Sequence, residues 1–214
     1  MPTNDSPRFA DSGATLSDFA THFVVHCPKC EGRALIRPAD GKPLEPPIFV
    51  QKTAYRLTCT ACFHVEESGH WHGAMRAFVA VKCRECHAPI HREADWDGHW
   101  KKLATRCDAC GDTCEYEAHI SKYPRNAGRV ADPAFGLPLW LQADFRDEVL
   151  WAYNFEQLDF LAAYIAAKLR ERGISPRNTI SKNSAMVGRL PTFIKKASNR
   201  PALLKLIEQL RNKT

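Results

Sequence analysis

The chain changes its hydrophobic pattern partway along, from short alternating runs to a helical repeat. Alternating apolar and polar positions occur in Tyr55–Cys59 and Ala77–Val81, and Gly and Pro turns separate such runs between residues 24 and 119. A period of two is typical of half-buried strands. The pattern therefore predicts a series of short β-hairpins in this region and a further strand at 148–153.

Helical periodicity begins at residue 154 and continues toward the end of the chain. Asn154 and Gln157 have the spacing of a capping box, and Gly173 stands where a helix would end. One apolar stripe lies between these signals: Leu158, Leu161, Ala162, Ile165 and Leu169. Shorter helices are predicted for 186–190 and after Pro191. The last helix is predicted to begin near Asn199 and to bury four residues: Leu203, Leu204, Ile207 and Leu210.

Composition narrows the class of protein. The chain has 214 residues, of which 44% are hydrophobic and 25% charged, as in an ordinary globular protein. No stretch approaches the roughly 18 consecutive apolar residues of a membrane span, and the first twenty residues lack the pattern of a secretory signal. We therefore expect a cytoplasmic protein in a reducing compartment.

Eight of the nine cysteines form four Cys-x-x-Cys pairs: Cys27/Cys30, Cys59/Cys62, Cys83/Cys86 and Cys107/Cys110. In a reducing compartment this spacing favours metal ligation over disulfides or a redox dithiol. Two such turns supply four thiolates to one tetrahedral ion and leave no position for water or substrate. The sequence therefore predicts two structural Zn²⁺ ions.

The spacing does not by itself show which two Cys-x-x-Cys pairs share an ion. The intervals between successive pairs are 28, 20 and 20 residues, so loop length does not choose between partners. Sequential pairing gives two zinc ribbons, each with its own strand-like stretches, and is favoured for that reason. Alternate pairing, which would give a cross-braced module like those of ubiquitin ligases, stays open.

Other residues near the pairs raise alternatives. Cys114 follows Cys110 by four residues and could replace a ligand, although a small buried residue on a strand is the favoured interpretation. An additional metal site is conceivable but not favoured at four histidines: His70, His72, His87 and His91. No Ser-His-Asp arrangement, phosphate-binding glycine loop or HExxH segment is present, so we expect no enzymatic activity and no small-molecule substrate.

Positive charge is concentrated at the end of the chain. Residues 168–214 contain twelve Lys and Arg against two Glu, a net charge of +10, and the other 167 residues carry 18 basic and 22 acidic groups, a net of −4. Two zinc sites at −2 each would bring that part to about −8. Candidate phosphate contacts are Lys182, Arg189, Lys195, Lys196 and Arg200. The alternative is a solvated face on a small helical domain.

Three of the cysteine motifs resemble those of a known class of zinc site. Cys27-Pro-Lys-Cys30, Cys59-Thr-Ala-Cys62 and Cys107-Asp-Ala-Cys110-Gly resemble the turns of transcription-factor-type zinc ribbons, as in initiation factors and RNA polymerase subunits. The resemblance covers about residues 24–119. The whole chain looks like bacterial proteins with tandem ribbons of this type before a short basic C-terminal region. The resemblance implies a module that binds nucleic acid, polymerase or other proteins.

Together these observations predict an α+β protein with two small β zinc ribbons followed by a small, mostly helical C-terminal unit. The predicted segments are a flexible lead-in (1–23), a first ribbon (24–70), a second ribbon (71–122), a Pro/Gly-rich connector (123–144) and a basic helical region (145–214). We expect a nucleic acid, DNA or RNA, as the partner, with a protein partner docked on the ribbons as the alternative. Stacking of bases would require aromatic residues of the ribbons, and these residues are equally suited to a protein core: Trp71, Trp96 and Trp100.

Overall fold

A computed structural model of the chain describes residues 8–42, 44, 50–171 and 185–213. Its strands are β1 (Arg8–Ala10), β2 (Phe23–His26), β3 (Arg33–Pro38), β4 (Tyr55–Cys59), β5 (Val65–Glu67), β6 (Met75–Lys82), β7 (Pro89–Trp96), β8 (Lys102–Arg106), β9 (Thr113–Glu117), β10 (His119–Lys122), β11 (Leu141–Phe145), β12 (Glu148–Ala152) and β13 (Leu169–Glu171). Its α-helices are α1 (Phe155–Ala166), α2 (Met186–Arg189), α3 (Thr192–Lys195) and α4 (Arg200–Arg211). The predicted α+β class is confirmed. None of the described helices is long and apolar enough to cross a membrane.

The chain forms two compact units. The first consists of Met1–Gly69 together with Arg129–Thr214, and the second is His70–Gly128. The first ribbon and the basic helical region, which the sequence predicted as separate segments, therefore share one unit. The second predicted ribbon, 71–122, falls within the other unit.

The first unit combines an antiparallel sheet with a helical layer. The sheet has the order β2-β3-β4-β5, and the hairpin β11-β12 packs with α1 and α4. Phe23, Val24 and Val25 are all buried on β2. Because successive side chains of a strand point to opposite faces, Phe23 and Val25 enter one core and Val24 enters the other, which the helices fill. The strand β2 thus joins the ribbon to the helical region.

Helix α1 begins where the sequence predicts it and ends earlier. The Asn154 side chain accepts a hydrogen bond from the Gln157 N–H at 3.0 Å, which confirms the predicted cap. The helix ends at Ala166, and Leu169, predicted for its apolar stripe, lies in β13, which pairs in parallel with β1. Gly173 lies outside the described residues. Helices α2, α3 and α4 begin close to the predicted positions, and α4 buries Leu203, Ile207 and Leu210, with Leu204 half-buried.

Part of the predicted lead-in packs into the core of the first unit. Phe9 on β1 is buried, with its ring centroid 5.2 Å from that of Phe160 and 5.3 Å from that of Tyr164. A short 3₁₀ helix, Leu16–Phe19, follows with Thr15 as its cap. The sequence pattern missed this packing because a polar segment with one or two aromatic anchors has no periodicity.

The predicted Pro/Gly-rich connector supplies part of the core instead of only linking segments. Buried Asp132 accepts hydrogen bonds from the N–H groups of Ala134, Phe135 and Leu137 at 2.7–2.8 Å. This turn directs Phe135 and Leu137 into the core behind the four-stranded sheet. The carboxylate thus replaces the hydrogen bonds that a strand or helix would provide.

The second unit is built from strands alone. Its three-stranded sheet has the order β10-β6-β7, and β8-β9 form a separate hairpin. Its main cluster of buried side chains consists of Val79, Cys83, Ile90, Cys107 and Tyr116. Two of these five residues are cysteines of the Cys-x-x-Cys pairs, so the core depends on the chemistry of the cysteines.

Candidate metal centres

The eight paired cysteines come together in two groups of four. The first group is Cys27, Cys30, Cys59 and Cys62, and the second is Cys83, Cys86, Cys107 and Cys110. Within each group all Sγ atoms lie within 4.8 Å of one another. The pairing is therefore sequential, as favoured, and the cross-braced alternative is wrong. Each centre joins the turns at the ends of two antiparallel hairpins, which makes both units ribbon-like.

The sulfur separations fit a tetrahedral zinc ion. The Sγ–Sγ distances are 3.6 Å for Cys27–Cys62, 3.7 Å for Cys30–Cys59, 3.7 Å for Cys83–Cys110 and 3.6 Å for Cys86–Cys107. A tetrahedron with Zn–S bonds of ~2.3 Å places its sulfurs about 3.8 Å apart. A disulfide would require about 2.05 Å. The donor set, four thiolates with no open position, fits two structural Zn²⁺ ions and leaves no coordination site for a reactant.

All four Cys-x-x-Cys turns share one backbone geometry. The N–H of the first cysteine donates to the carbonyl five residues later, over 2.7–3.0 Å, in four bonds: Cys27 to Gly32, Cys59 to His64, Cys83 to Ala88 and Cys107 to Asp112. Each first cysteine is buried and each second cysteine is exposed. Each pair therefore comes from a closed turn that is formed by the backbone and presents both sulfurs on one side.

Backbone amides in these turns also favour the thiolate form. The N–H groups of Cys110 and Ala109 donate to the Cys107 sulfur and lower its pKa to about 7. At Cys59 burial raises the pKa, but the N–H groups of Cys62 and Ala61 outweigh burial and bring it to about 7. Zinc binds thiolates and not thiols. One cysteine of each group, Cys59 or Cys107, therefore has a pKa lowered to about 7.

The residue after each second cysteine adopts a left-handed backbone. The φ angles are 59° at Glu31, 59° at Phe63, 58° at His87 and 77° at Gly111. A left-handed conformation costs a residue with a Cβ roughly 1–2 kcal/mol, and glycine is free of this cost. Three of the four turns therefore carry a strain that the sulfur–metal bonds must offset, and only the fourth avoids it.

The fourth turn gives a test of this strain. Gly111→Ala should lower the free energy of unfolding of the second unit by about 1 kcal/mol, because φ is +77° there although a Cβ would meet no atom closer than 3.5 Å. His87→Gly should produce a smaller change of opposite sign, since glycine also gains entropy in the unfolded chain. Urea denaturation at a fixed free-zinc concentration measures both. Equal stability of all three proteins would contradict strain at this position.

The remaining sulfur and the histidines do not join the centres. Cys114 is half-buried on β9, and its Sγ lies 3.1 Å from Asp112 Oδ2, outside the second group. The favoured interpretation as a strand residue is confirmed. Within the part of the chain that the structure describes, the two cysteine groups are the clusters suited to a metal. None of the four histidines considered above belongs to such a cluster.

The predicted phosphate contacts separate into two kinds. Arg189 and Lys196 are exposed. Lys195 donates to the Gly188 carbonyl at 2.9 Å, and half-buried Arg200 donates to the Ala167 carbonyl at 3.1 Å, so both tie backbone segments of the helical region together. Lys182 lies outside the described residues. The sequence could not distinguish these roles, since a cation that binds a carbonyl and one that faces solvent have the same signature.

The three tryptophans considered for base stacking are half-buried in the second unit. Trp71 donates through Nε1 to the Ala74 carbonyl at 3.0 Å, and Trp96 donates to the Trp100 carbonyl at 2.6 Å. Lys122 Nζ lies 5.2 Å from the centre of the Trp71 ring. The second unit therefore partly covers each of the three rings.

Comparison with known protein families, with curated proteins and with solved structures gave no match. The assignment of two zinc-ribbon-like units therefore depends on the cysteine geometry and on the small antiparallel sheets that carry it.

Proposed function

We propose that this chain is a non-enzymatic zinc protein that binds nucleic acid through its basic C-terminal region. The observation that carries the proposal is the net charge of +10 over residues 168–214; among the described residues of this segment, Arg189, Lys196 and Lys205 are exposed. An excess of this size is more than solubility requires, and phosphate groups are its natural counterpart. The resemblance to transcription-factor-type ribbons supports the same class of partner.

In this proposal the zinc ions have a structural role. Each is surrounded by four sulfurs, so it can activate neither water nor a carbonyl group. The first centre holds the sheet on which β2 lies, and β2 contributes Val24 to the core beneath the helices. We propose that zinc at this centre stabilises the surface that presents the basic side chains.

Substitution tests the proposal better than truncation. Removing residues 168–214 would delete Leu203, Ile207 and Leu210 from the main core and would unfold the first unit. Arg189→Gln, Lys196→Gln and Lys205→Gln together leave that core intact. A matched control removes three exposed charges elsewhere, with Lys42→Gln, Lys101→Gln and Lys102→Gln.

The measurement is the affinity for duplex DNA and RNA across a salt series. Each lost phosphate contact should reduce the slope of log K against log salt by about 0.9. The C-terminal variant is expected to bind more weakly with a slope smaller by about 2–3, and the control is expected to match the native chain. Equal slopes for all three proteins would overturn the C-terminal assignment.

One observation favours the second candidate, an adaptor that docks a protein on the first ribbon. Phe63 is 84% exposed and Val65 is 52% exposed, and both belong to the turn and strand that follow Cys62. An aromatic ring held in solvent by a strained turn suits a protein pocket. Failure of the native chain to bind nucleic acid at low salt would favour this function.

A further inference from the structure

The end of β2 connects the first metal centre to the helical core. Side chains alternate between the two faces of a strand, so His26 shares the face of Val24, which the helices cover. The ring of His26 packs on Trp140, with 4.7 Å between the ring centroids, and Trp140 belongs to the same core as Val24. The residue after His26 is Cys27, a member of the first cysteine group. His26 therefore contacts the core and is bonded directly to a zinc ligand.

The turn of Cys27 and Cys30 determines which ring nitrogen of His26 carries a hydrogen. Glu31 follows this turn with a left-handed backbone at a φ of 59°, and its N–H donates to the Cys27 carbonyl at 3.0 Å. The carbonyl of Glu31 lies 3.0 Å from His26 Nδ1. Because a carbonyl can only accept, Nδ1 carries the hydrogen and Nε2 of the neutral ring is left as an acceptor. The closed turn thus prepares Nε2 to accept a hydrogen bond.

Lys213, two residues beyond the end of α4, uses this acceptor. Its ammonium nitrogen lies 3.3 Å from His26 Nε2, 2.9 Å from the Trp140 carbonyl oxygen and 4.1 Å from the centre of the Trp140 ring. An ammonium group can only donate, so it requires the lone pair that the turn leaves free on Nε2. The face of the indole ring adds a cation–π attraction. We call Glu31, His26, Trp140 and Lys213 the zinc–helix junction.

We propose that the zinc–helix junction is a conformational switch that couples zinc at the first centre to the C-terminal end of α4. With zinc bound, the cysteine turn holds Glu31 in its left-handed conformation, and the Glu31 carbonyl orients His26 to accept from Lys213. Without zinc, Glu31 relaxes, because sulfur–metal bonds no longer offset the cost of a left-handed backbone. The His26 ring is then free to turn, and Lys213 loses an acceptor. The last turn of α4 frays as a result.

The contact of Lys213 is opposed by two electrostatic costs, which suits it to switching. Burial, and after it the charge of Arg129, lower the pKa of the Lys213 ammonium group. Both effects disfavour a charged group at this position. The net stability of the contact is therefore smaller than its three favourable interactions suggest. Loss of the His26 acceptor alone is expected to open it.

The switch is confined to the end of the helix. The first centre also reaches the helices through Val24, but apolar packing does not depend on the direction of a carbonyl group. The body of α4 buries Leu203, Ile207 and Leu210 and should stay folded without zinc. The consequence for a ligand rests on the proposed function, since α4 also presents exposed Lys205. The coupling itself requires no nucleic acid.

A double-mutant cycle on the full chain tests the coupling. Lys213→Met keeps a side chain of similar length and removes the ammonium group. Cys59→Ser empties the first centre from its other turn, so the residues of the junction are unchanged. The measurement is amide hydrogen exchange in the last turn of α4, where the Asn212 N–H donates to the Glu208 carbonyl at 3.1 Å.

The two changes should not be additive. In the zinc-loaded chain, Lys213→Met should speed exchange in the last turn of α4 by about 5-fold, the lower end of coupling between sites. In the Cys59→Ser background it should have no further effect, because the contact is already open. Lys42→Met removes one exposed charge from the same unit and is the matched control, which should leave this exchange unchanged.

The coupling should also act in the opposite direction, on zinc affinity, because coupling free energies are reciprocal. Competition with a chelator, with the ions counted per chain by native mass spectrometry, measures this effect. Lys213→Met should hold one of its two zinc ions about 5-fold more weakly than the native chain does. The other ion, in the second unit, is the internal reference and should be held equally in both proteins.

The outcomes separate this inference from the proposed function. Equal acceleration of exchange by Lys213→Met with and without the first ion overturns the switch, because Lys213 would then stabilise α4 independently of zinc. Native exchange in Lys213→Met, or native affinity for both ions, overturns it as well. None of these measurements uses a nucleic acid. The switch can therefore fail while the salt series supports nucleic-acid binding, and it can succeed where that binding fails.

Discussion

Cys107→Ser is expected to remove one of two zinc ions and to unfold the second unit. The unit's main cluster of buried side chains has five residues, and Cys83 and Cys107 are two of them. A structural zinc site contributes roughly 10–16 kcal/mol, comparable with the whole stability of a small domain. Hairpins with so few buried side chains cannot replace that contribution. Loss of the ion should therefore appear as loss of fold in residues 70–128.

The equivalent change in the first unit should have a different result. Cys59→Ser is also expected to remove one zinc ion, but the main core of this unit contains nineteen buried residues among those the structure describes, and none is a zinc ligand. The helices α1 and α4 with the hairpin β11-β12 should remain folded, while the sheet around β4 loosens. The two variants together compare a zinc centre on which the fold of a whole unit depends with a zinc centre that stabilises only part of a unit.

Zinc content and amide hydrogen exchange measure both effects. Native protein should hold two zinc ions and each variant one. Exchange in Cys107→Ser should become fast across β6 to β10 and stay slow in α1 and α4, and in Cys59→Ser the fast segment should be β2 to β5. Fewer than one ion in fresh, folded native protein would contradict both centres. Slow exchange in β6 to β10 after loss of zinc would show that the second unit folds on its own.

The sequence predicted these metal centres because the chemistry of the site is local. Two residues between cysteines set the turn, and four repeats of one spacing leave few alternatives. Which pairs share one ion was harder to predict, because an interval of 20 residues allows a Cys-x-x-Cys pair to combine with either neighbouring pair. The pairing of the strands decides which turns share an ion. Ala34 on β3 lies opposite Cys59 on β4, and this register brings the turn of Cys27 and Cys30 and the turn of Cys59 and Cys62 to one end of the sheet.

The union of the first ribbon with the helical region could not be predicted from periodicity. A run such as Phe23-Val24-Val25 indicates a strand buried on both faces, but nothing local shows that residues more than a hundred positions later cover one face. The turn around Asp132 was missed for a related reason. Pro and Gly indicate an irregular backbone, and only the three N–H groups around the carboxylate show that it is buried.

The roles of the basic residues depended on contacts that no charge count contains. Arg200 and Lys195 bind main-chain carbonyls, whereas Lys196 is exposed. The number of basic side chains counted from the sequence is therefore an upper limit on the number that can contact a ligand.

Asn154→Ala is expected to lower the free energy of unfolding of the first unit by about 2–4 kcal/mol. The Asn154 side chain is fully buried. Its Oδ1 caps α1, and its Nδ2 donates to the carbonyls of Phe19 and His22 at 2.6 Å and 3.0 Å. One amide thus joins the start of the helix to the segment that leads into β2. Alanine would leave the helix without its cap and two carbonyls without their donor.

Asn154→Asp distinguishes the two roles of this amide. A carboxylate keeps the acceptor that caps α1, and aspartate is as good a cap as asparagine on an exposed helix. Here it would replace an N–H donor by an oxygen facing two carbonyl oxygens, so the Asp variant should be less stable than the Ala variant at neutral pH. Urea denaturation of the zinc-saturated proteins, followed by far-UV circular dichroism, measures the order. An Asp variant close to native stability would show that capping alone matters and that the bridge to Phe19 and His22 contributes little.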